Sequence, residues 1–159
     1  MFLYLVQHTE ARREEEDPNR DLTPKGLQDI IRVANFSKKL NLASSQVFHS
    51  RKTRALRTAE ILAAALQPSG RPAATPGLAP LDDPEIWAAR IPEMAGDLLL
   101  VGHLPHLARL AGLLLCGDQE KGVLNFKMGG MVCLRKSEAG AWGVEWMIIP
   151  EILRQGKAE

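Results

Sequence analysis

Met1-Phe2-Leu3-Tyr4-Leu5-Val6-Gln7-His8 and Asp97-Leu98-Leu99-Leu100-Val101-Gly102-His103 are two apolar runs that each end on a histidine, and their reading decides the fold. Short continuous apolar runs of this kind form strands of a parallel sheet, which is buried on both faces. Side by side, the two strands bring His8 and His103 to one carboxyl edge. Open α/β sheets bind their ligands at that edge. Between them, Val47-Phe48 marks a third short strand, followed by the basic segment Ser50-Arg51-Lys52-Thr53-Arg54-Ala55-Leu56-Arg57-Thr58. Two imidazoles and an arginine cluster on one rim point to phosphate chemistry.

The bulk properties bound this reading. A chain of 159 residues that is 45% hydrophobic suffices for one packed core and is short for two, so residues 1–159 are expected to form a single domain. Lys+Arg 20 against Asp+Glu 19 leaves a net charge of +1. That balance argues against a partner held by a basic face, whether nucleic acid or a membrane surface. Cys116 and Cys133 lie in apolar surroundings without metal-ligand spacing, and no cleavable signal precedes the first strand. Buried thiols in a cytoplasmic protein are expected. The apolar stretch 98–116 is interrupted by His103, Pro105, His106 and Arg109, so it reads as strand, turn and helix rather than a membrane span.

Elements alternate along the chain. After an acidic loop, Arg12 to Asn19, Thr23 is placed to cap a helix and Pro24 to occupy its first turn. Leu27, Ile30, Ile31 and Ala34 have the spacing of its buried face, and Asn41 marks a stop near Leu40. A second helix, 52–66, carries Leu56, Ala59, Ala63 and Leu66 on one stripe. Prolines at 68, 72, 76, 80 and 84 make the next segment mostly loop, with at most an edge strand near 73–75. A short helix from Glu85 to about Met94 leads into the second histidine strand. Leu104, Leu107, Leu110, Ala111 and Leu114 line the helix after it. Strands near 130–135 and 143–149 pair antiparallel across the turn Glu138-Ala139-Gly140.

The ordered set Leu5-Val6-Gln7-His8-Thr9-Glu10-Ala11, Arg20-Asp21-Leu22-Thr23-Pro24-Lys25-Gly26, Val47-Phe48-His49-Ser50, Arg54-Ala55, Thr58-Ala59 and Val101-Gly102-His103-Leu104-Pro105 resembles the histidine phosphatase superfamily. Within it, the small single-domain phosphohistidine phosphatases of the SixA type look most similar, over about three quarters of the chain. The resemblance implies an α/β three-layer sandwich of the phosphoglycerate mutase-like kind, a central and mostly parallel sheet with helices on both faces. It also implies that His8 is the nucleophile, becoming a transient phosphohistidine, and that His103 donates to the phosphoryl oxygens. Arg54 would grip two phosphate oxygens, and Arg20 matches a position that can reach the phosphate. Arg51 stands where the family often has proline and either joins the site or faces solvent, Arg57 faces solvent, and Ser50 borders the site or caps the following helix. His49 and His106 have no family role and are expected at the rim or in a first helical turn.

The departures are Gln7 and Thr9, where the family has arginine and glycine around the nucleophile. A neutral amide replaces a charged donor worth roughly twice as much, so weaker anion binding is expected unless Arg20 or Arg51 compensates. Threonine resists a positive φ, should the backbone need one there. Asp83 and Glu85, with Asp82, are the candidate acids for cleaving a phosphate ester; otherwise they belong to a solvated loop and helix N-terminus. A labile P–N bond needs no such acid. The leading expectation is therefore a metal-independent, cofactor-free phosphohistidine phosphatase acting on a phosphohistidine-bearing protein. Two alternatives remain open, a phosphomonoesterase for a small phosphorylated molecule and a catalytically weakened phosphate-binding module. A metal site built from His8, His49, His103 and His106 lacks a carboxylate at ligand spacing.

Overall fold

The computed structural model describes residues 1–42 and 46–154. Its elements run β1 Phe2–Gln7, α1 Pro24–Lys39, β2 Gln46–His49, α2 Thr53–Leu66, β3 Ala73–Ala74, α3 Glu85–Arg90, β4 Leu98–Gly102, α4 His106–Cys116, β5 Met131–Lys136 and β6 Trp142–Ile148, with 3-10 turns at Ile91–Glu93 and Pro150–Leu153. One six-stranded sheet has the order β3-β2-β4-β1-β5-β6. The first four of these strands are parallel, and the β5–β6 hairpin adds two antiparallel ones. The two histidine-bearing strands are direct neighbours, with Leu3 opposite Leu98 and Gln7 opposite Gly102.

Alternation along the strands divides the core into two layers. Tyr4, Val6, Val47, Leu99, Val101, Met131 and Cys133 face one way, against Ile30, Val33 and Ala34 of α1 and Ala55, Ala59 and Leu62 of α2. Leu3, Leu5, Leu98, Leu100, Val132 and Leu134 face the other, against Trp87 of α3 and Leu107, Leu110 and Ala111 of α4. This is the three-layer sandwich expected. Every residue of β4 is buried, as its place inside the sheet requires.

Several packing expectations need correction. Leu27 and Ile31 are 40% and 41% exposed, because α1 buries Gly26, Asp29, Ile30, Val33, Ala34 and Ser37 instead. The inward face of α2 is Ala55, Thr58, Ala59 and Leu62, and Leu56, Ala63 and Leu66 are only half-buried. In both helices small side chains occupy the interior, since the backbone itself comes close to its neighbour. A Cβ on Gly26 would lie 2.1 Å from the Glu10 carbonyl oxygen. Leu104 is 38% exposed and Leu114 half-buried. Cys116, the last residue of α4, is exposed, whereas Cys133 on β5 is buried as expected.

Thr23 caps α1 as its sequence suggests: its hydroxyl accepts from the Gly26 N–H at 2.9 Å and donates to a Glu10 carboxylate oxygen at 2.7 Å. Leu40 is the C-cap and Asn41 follows it with φ 50°. Among the described residues no helix is long and apolar enough to cross a membrane.

Candidate active site

The loops leaving β1, β2 and β4 meet at the carboxyl edge and are tied there by their backbones. His8 N–H donates to the Gly102 carbonyl at 3.0 Å, and Ser50 N–H to that of Val101 at 3.2 Å. His8 and His103 therefore come together, with ring centroids 4.9 Å apart and planes inclined by 53°.

His8 Nδ1 lies 2.7 Å from the Thr9 carbonyl oxygen. A carbonyl only accepts, so Nδ1 carries the proton and Nε2 keeps its lone pair. Arg54 Nε donates to that nitrogen at 3.3 Å. Burial pushes the imidazole down to about 4; the Thr9 bond works against this, and the Arg54 and Arg20 charges add to it. At neutral pH the ring is uncharged, the state a nucleophile requires.

His103 is 2% exposed, and its Nε2 is 2.5 Å from the Ser50 hydroxyl. Its Nδ1 has no partner. Burial again dominates its depression to about 3, reinforced by His8, Arg54, Lys52 and His106. The Ser50 hydroxyl thus meets His103 and also accepts from the N–H of Lys52, the N-cap of α2, at 3.4 Å.

Arg54, in the first turn of α2, is depressed by burial and then by the Arg20 charge. Arg20 adopts φ 53°, and its Nε donates to the Arg12 carbonyl at 3.2 Å. Arg20, Arg51, Lys52 and Arg54 line a cavity of about 310 Å³ with Glu14, Pro18, Asn19 and Thr53. Arg57 lies outside it, paired with Glu60 at 2.9 Å and Asp21 at 3.5 Å, as the solvent reading expects.

Gln7 ends β1 with its Oε1 buried and unpartnered. The other departure is well accommodated. Thr9 is absent from the positive-φ residues, and its N–H donates to Thr58 Oγ1 at 3.1 Å while its own hydroxyl donates to the Gly26 carbonyl at 2.8 Å. Thr58 in turn donates to the Arg54 carbonyl at 2.7 Å. Thr9 and Thr58 therefore lock the residue after His8 to both helices, a role that no local spacing marks.

Of the candidate acids, Asp82 and Asp83 act on His106, and none is among the charges that act on His8 or His103. Asp83 accepts from the Glu85 N–H at 3.0 Å, and both side chains are exposed. Asp82 accepts from the Ala79 N–H at 2.9 Å and lines a separate cavity with Arg51 and Lys52. The charged groups that bear on His8 and His103 are all basic. His49 is corrected from rim to interior, at 3% exposure, whereas His106 opens α4, in a first helical turn as expected, and is fully buried at 0%. His49 Nδ1 donates to the Ser50 carbonyl at 2.7 Å, and neither ring nitrogen of His106 has a partner. Among the described residues no three His, Cys, Asp or Glu side chains cluster as metal ligands.

With this geometry in view, the comparisons with known proteins are consistent. The solved structure of the protein histidine phosphatase SixA complexed with tungstate superposes with a TM-score of 0.86 at 23% identity, covering 97% of this chain and 100% of that one. The α-ribazole phosphatase of Shigella flexneri gives a TM-score of 0.77 at 14% identity, covering 94% of this chain and 97% of that one. The fold is that of the histidine phosphatases. No family model matches the chain. It is 37% identical over 146 residues to an uncharacterized protein of Picosynechococcus sp., the match covering 87% of each, and it belongs to the same family as that protein.

Proposed function

We propose that the protein is a phosphatase of the histidine phosphatase type whose substrate is a phosphohistidine on a partner protein. The observation that carries this reading is the state of His8: an uncharged ring, its proton on Nδ1 toward the Thr9 carbonyl, its Nε2 facing Arg54, and only arginine charges acting on it among the described residues.

The reaction takes two displacements. The His8 Nε2 lone pair attacks phosphorus, and the P–N bond to the substrate imidazole breaks, the departing nitrogen taking a proton from solvent. Water then attacks the phosphoryl group on His8, releasing inorganic phosphate and restoring the ring. Arg54 and Arg20 neutralise the phosphoryl oxygens, and His103, oriented by Ser50, supplies a further polar contact. An imidazole leaves a phosphoramidate without an enzymic acid, whereas an alcohol leaving an ester needs one. A site lined by four cations and a single carboxylate, Glu14, favours the first substrate over the second.

Turnover of a phosphohistidine-bearing protein, an aryl phosphate and a panel of sugar phosphates tests the reading, together with trapping of an acid-labile phosphoryl label on His8. Preferential hydrolysis of the phosphohistidine protein is expected. Faster hydrolysis of a sugar phosphate, with loss of that activity in Glu85→Ala, would establish an esterase instead. A second reading, a phosphate-binding module with little turnover, is favoured by the neutral Gln7 and would be supported if binding of inorganic phosphate persisted with no label on His8.

A further inference from the structure

We propose that the cavity beside His8 seats a second anionic group of the substrate, an acidic side chain of the phosphohistidine-bearing partner near its phosphorylated residue. This rests on the function proposed above and adds a specificity element, Arg51 and Lys52.

The cavity lies between the loop preceding α1 and the first turn of α2. Arg20, Arg51, Lys52 and Arg54 line it against a single carboxylate, Glu14. Among the described residues none of these four cations is in an ion pair. A phosphoryl group near neutral pH carries about −1.5 to −2. Arg20 and Arg54, the two cations that act on His8, are enough to balance it. Arg51 and Lys52 then remain, two positive charges against Glu14.

Those two residues also border a second cavity, of about 300 Å³, with Thr75, Pro76, Ala79 and Asp82. They form a basic ridge between two hollows, and both are exposed. A pocket for a small molecule buries most of its ligand. A ridge that leaves its cations in water suits a protein surface, which excludes that water itself on docking. Over the whole chain the net charge is only +1, so this cluster is a local excess.

The test uses two phosphohistidine peptides of equal length, one flanked by Asp and Glu and the other by Asn and Gln, with binding followed by fluorescence anisotropy on the His8→Ala protein so that no chemistry intervenes. Exposed ion pairs each change affinity by about two- to fivefold. The acidic peptide is therefore expected to bind about tenfold more tightly at low salt, with the advantage fading as ionic strength rises. Arg51→Glu added to the His8→Ala background is expected to abolish the preference and Arg51→Lys to keep it, which separates lost charge from lost folding. Equal binding of the two peptides, or a preference that survives both salt and Arg51→Glu, would overturn the proposal. A small bisphosphate binding more tightly than the acidic peptide would overturn its assignment to a protein partner. Turnover of the neutral peptide by intact protein, with a label on His8, reports the phosphatase reading separately. If that fails while the acidic preference persists, the chemistry is wrong and the second anion site stands.

Discussion

Acidification should destabilise this protein through the two histidines of the candidate site. Unfolded histidine titrates near 6.5, while the folded rings are held down at about 4 for His8 and about 3 for His103, chiefly by burial. Between the folded and unfolded values the unfolded chain binds more protons, so stability rises with pH across this window and falls as pH drops through it. From pH 7 to pH 4.5 the linkage relation gives a loss of about 2 kcal/mol from His8 alone. For the pair about 3 to 4 kcal/mol is expected, less than double in part because some of the His103 depression comes from His8. Against a typical domain stability of about 5–15 kcal/mol this is a large share, equivalent to a fall in Tm of roughly 10 °C at this size. Denaturant midpoints at the two pH values, for the wild type and for His8→Asn with His103→Asn, isolate the effect, because His106 and the carboxylates are common to both proteins. Wild type should lose about 3 to 4 kcal/mol more than the variant. Parallel pH dependence in the two proteins would refute the claim that these rings are buried uncharged.

Ser50→Ala leaves His103 Nε2 buried without its partner, which should lower stability by about 1–3 kcal/mol and reduce kcat more than it raises KM, as steady-state kinetics would show. Gln7→Arg places a charged donor beside His8, the proposed nucleophile, and should raise turnover by about a hundredfold; no gain would mean that Arg20 or Arg51 already supplies that charge. Gly26→Ala should cost several kcal/mol by thermal melting, because its Cβ would lie 2.1 Å from the Glu10 oxygen. Gly70→Ala, where a Cβ meets nothing within 4 Å, is the matched neutral control.

Much of the architecture is legible in local patterns. The two histidine-terminated runs read as adjacent parallel strands because they lack the alternation of a half-exposed sheet, and the Thr23-Pro24 cap and the last hairpin follow from residue chemistry alone. The helix faces were less legible. Leu27 and Ile31 outrank Gly26 and Ser37 on any scale of apolarity, yet backbone proximity decides which side turns inward. Asp29 shows the same limit: it is 2% exposed, held by Lys25 and Arg32 at 2.8 Å each and by Arg154, 125 positions further along, at 3.8 Å. In the candidate site, it is the ordered resemblance that points to His8, Arg54 and His103. The Ser50–His103 contact and the Thr58–Thr9 tie join residues 53 and 49 positions apart, and no local spacing encodes such pairs.

The shortness of β3 has a bearing on self-association. Only Ala73 and Ala74 form this outermost parallel strand, and Pro72 and Pro76 flank it at one and two residues' remove. Proline has no amide hydrogen to offer an incoming chain. That margin gives another polypeptide almost no ladder to extend, so even a crowded solution finds little template for cross-β stacking along it.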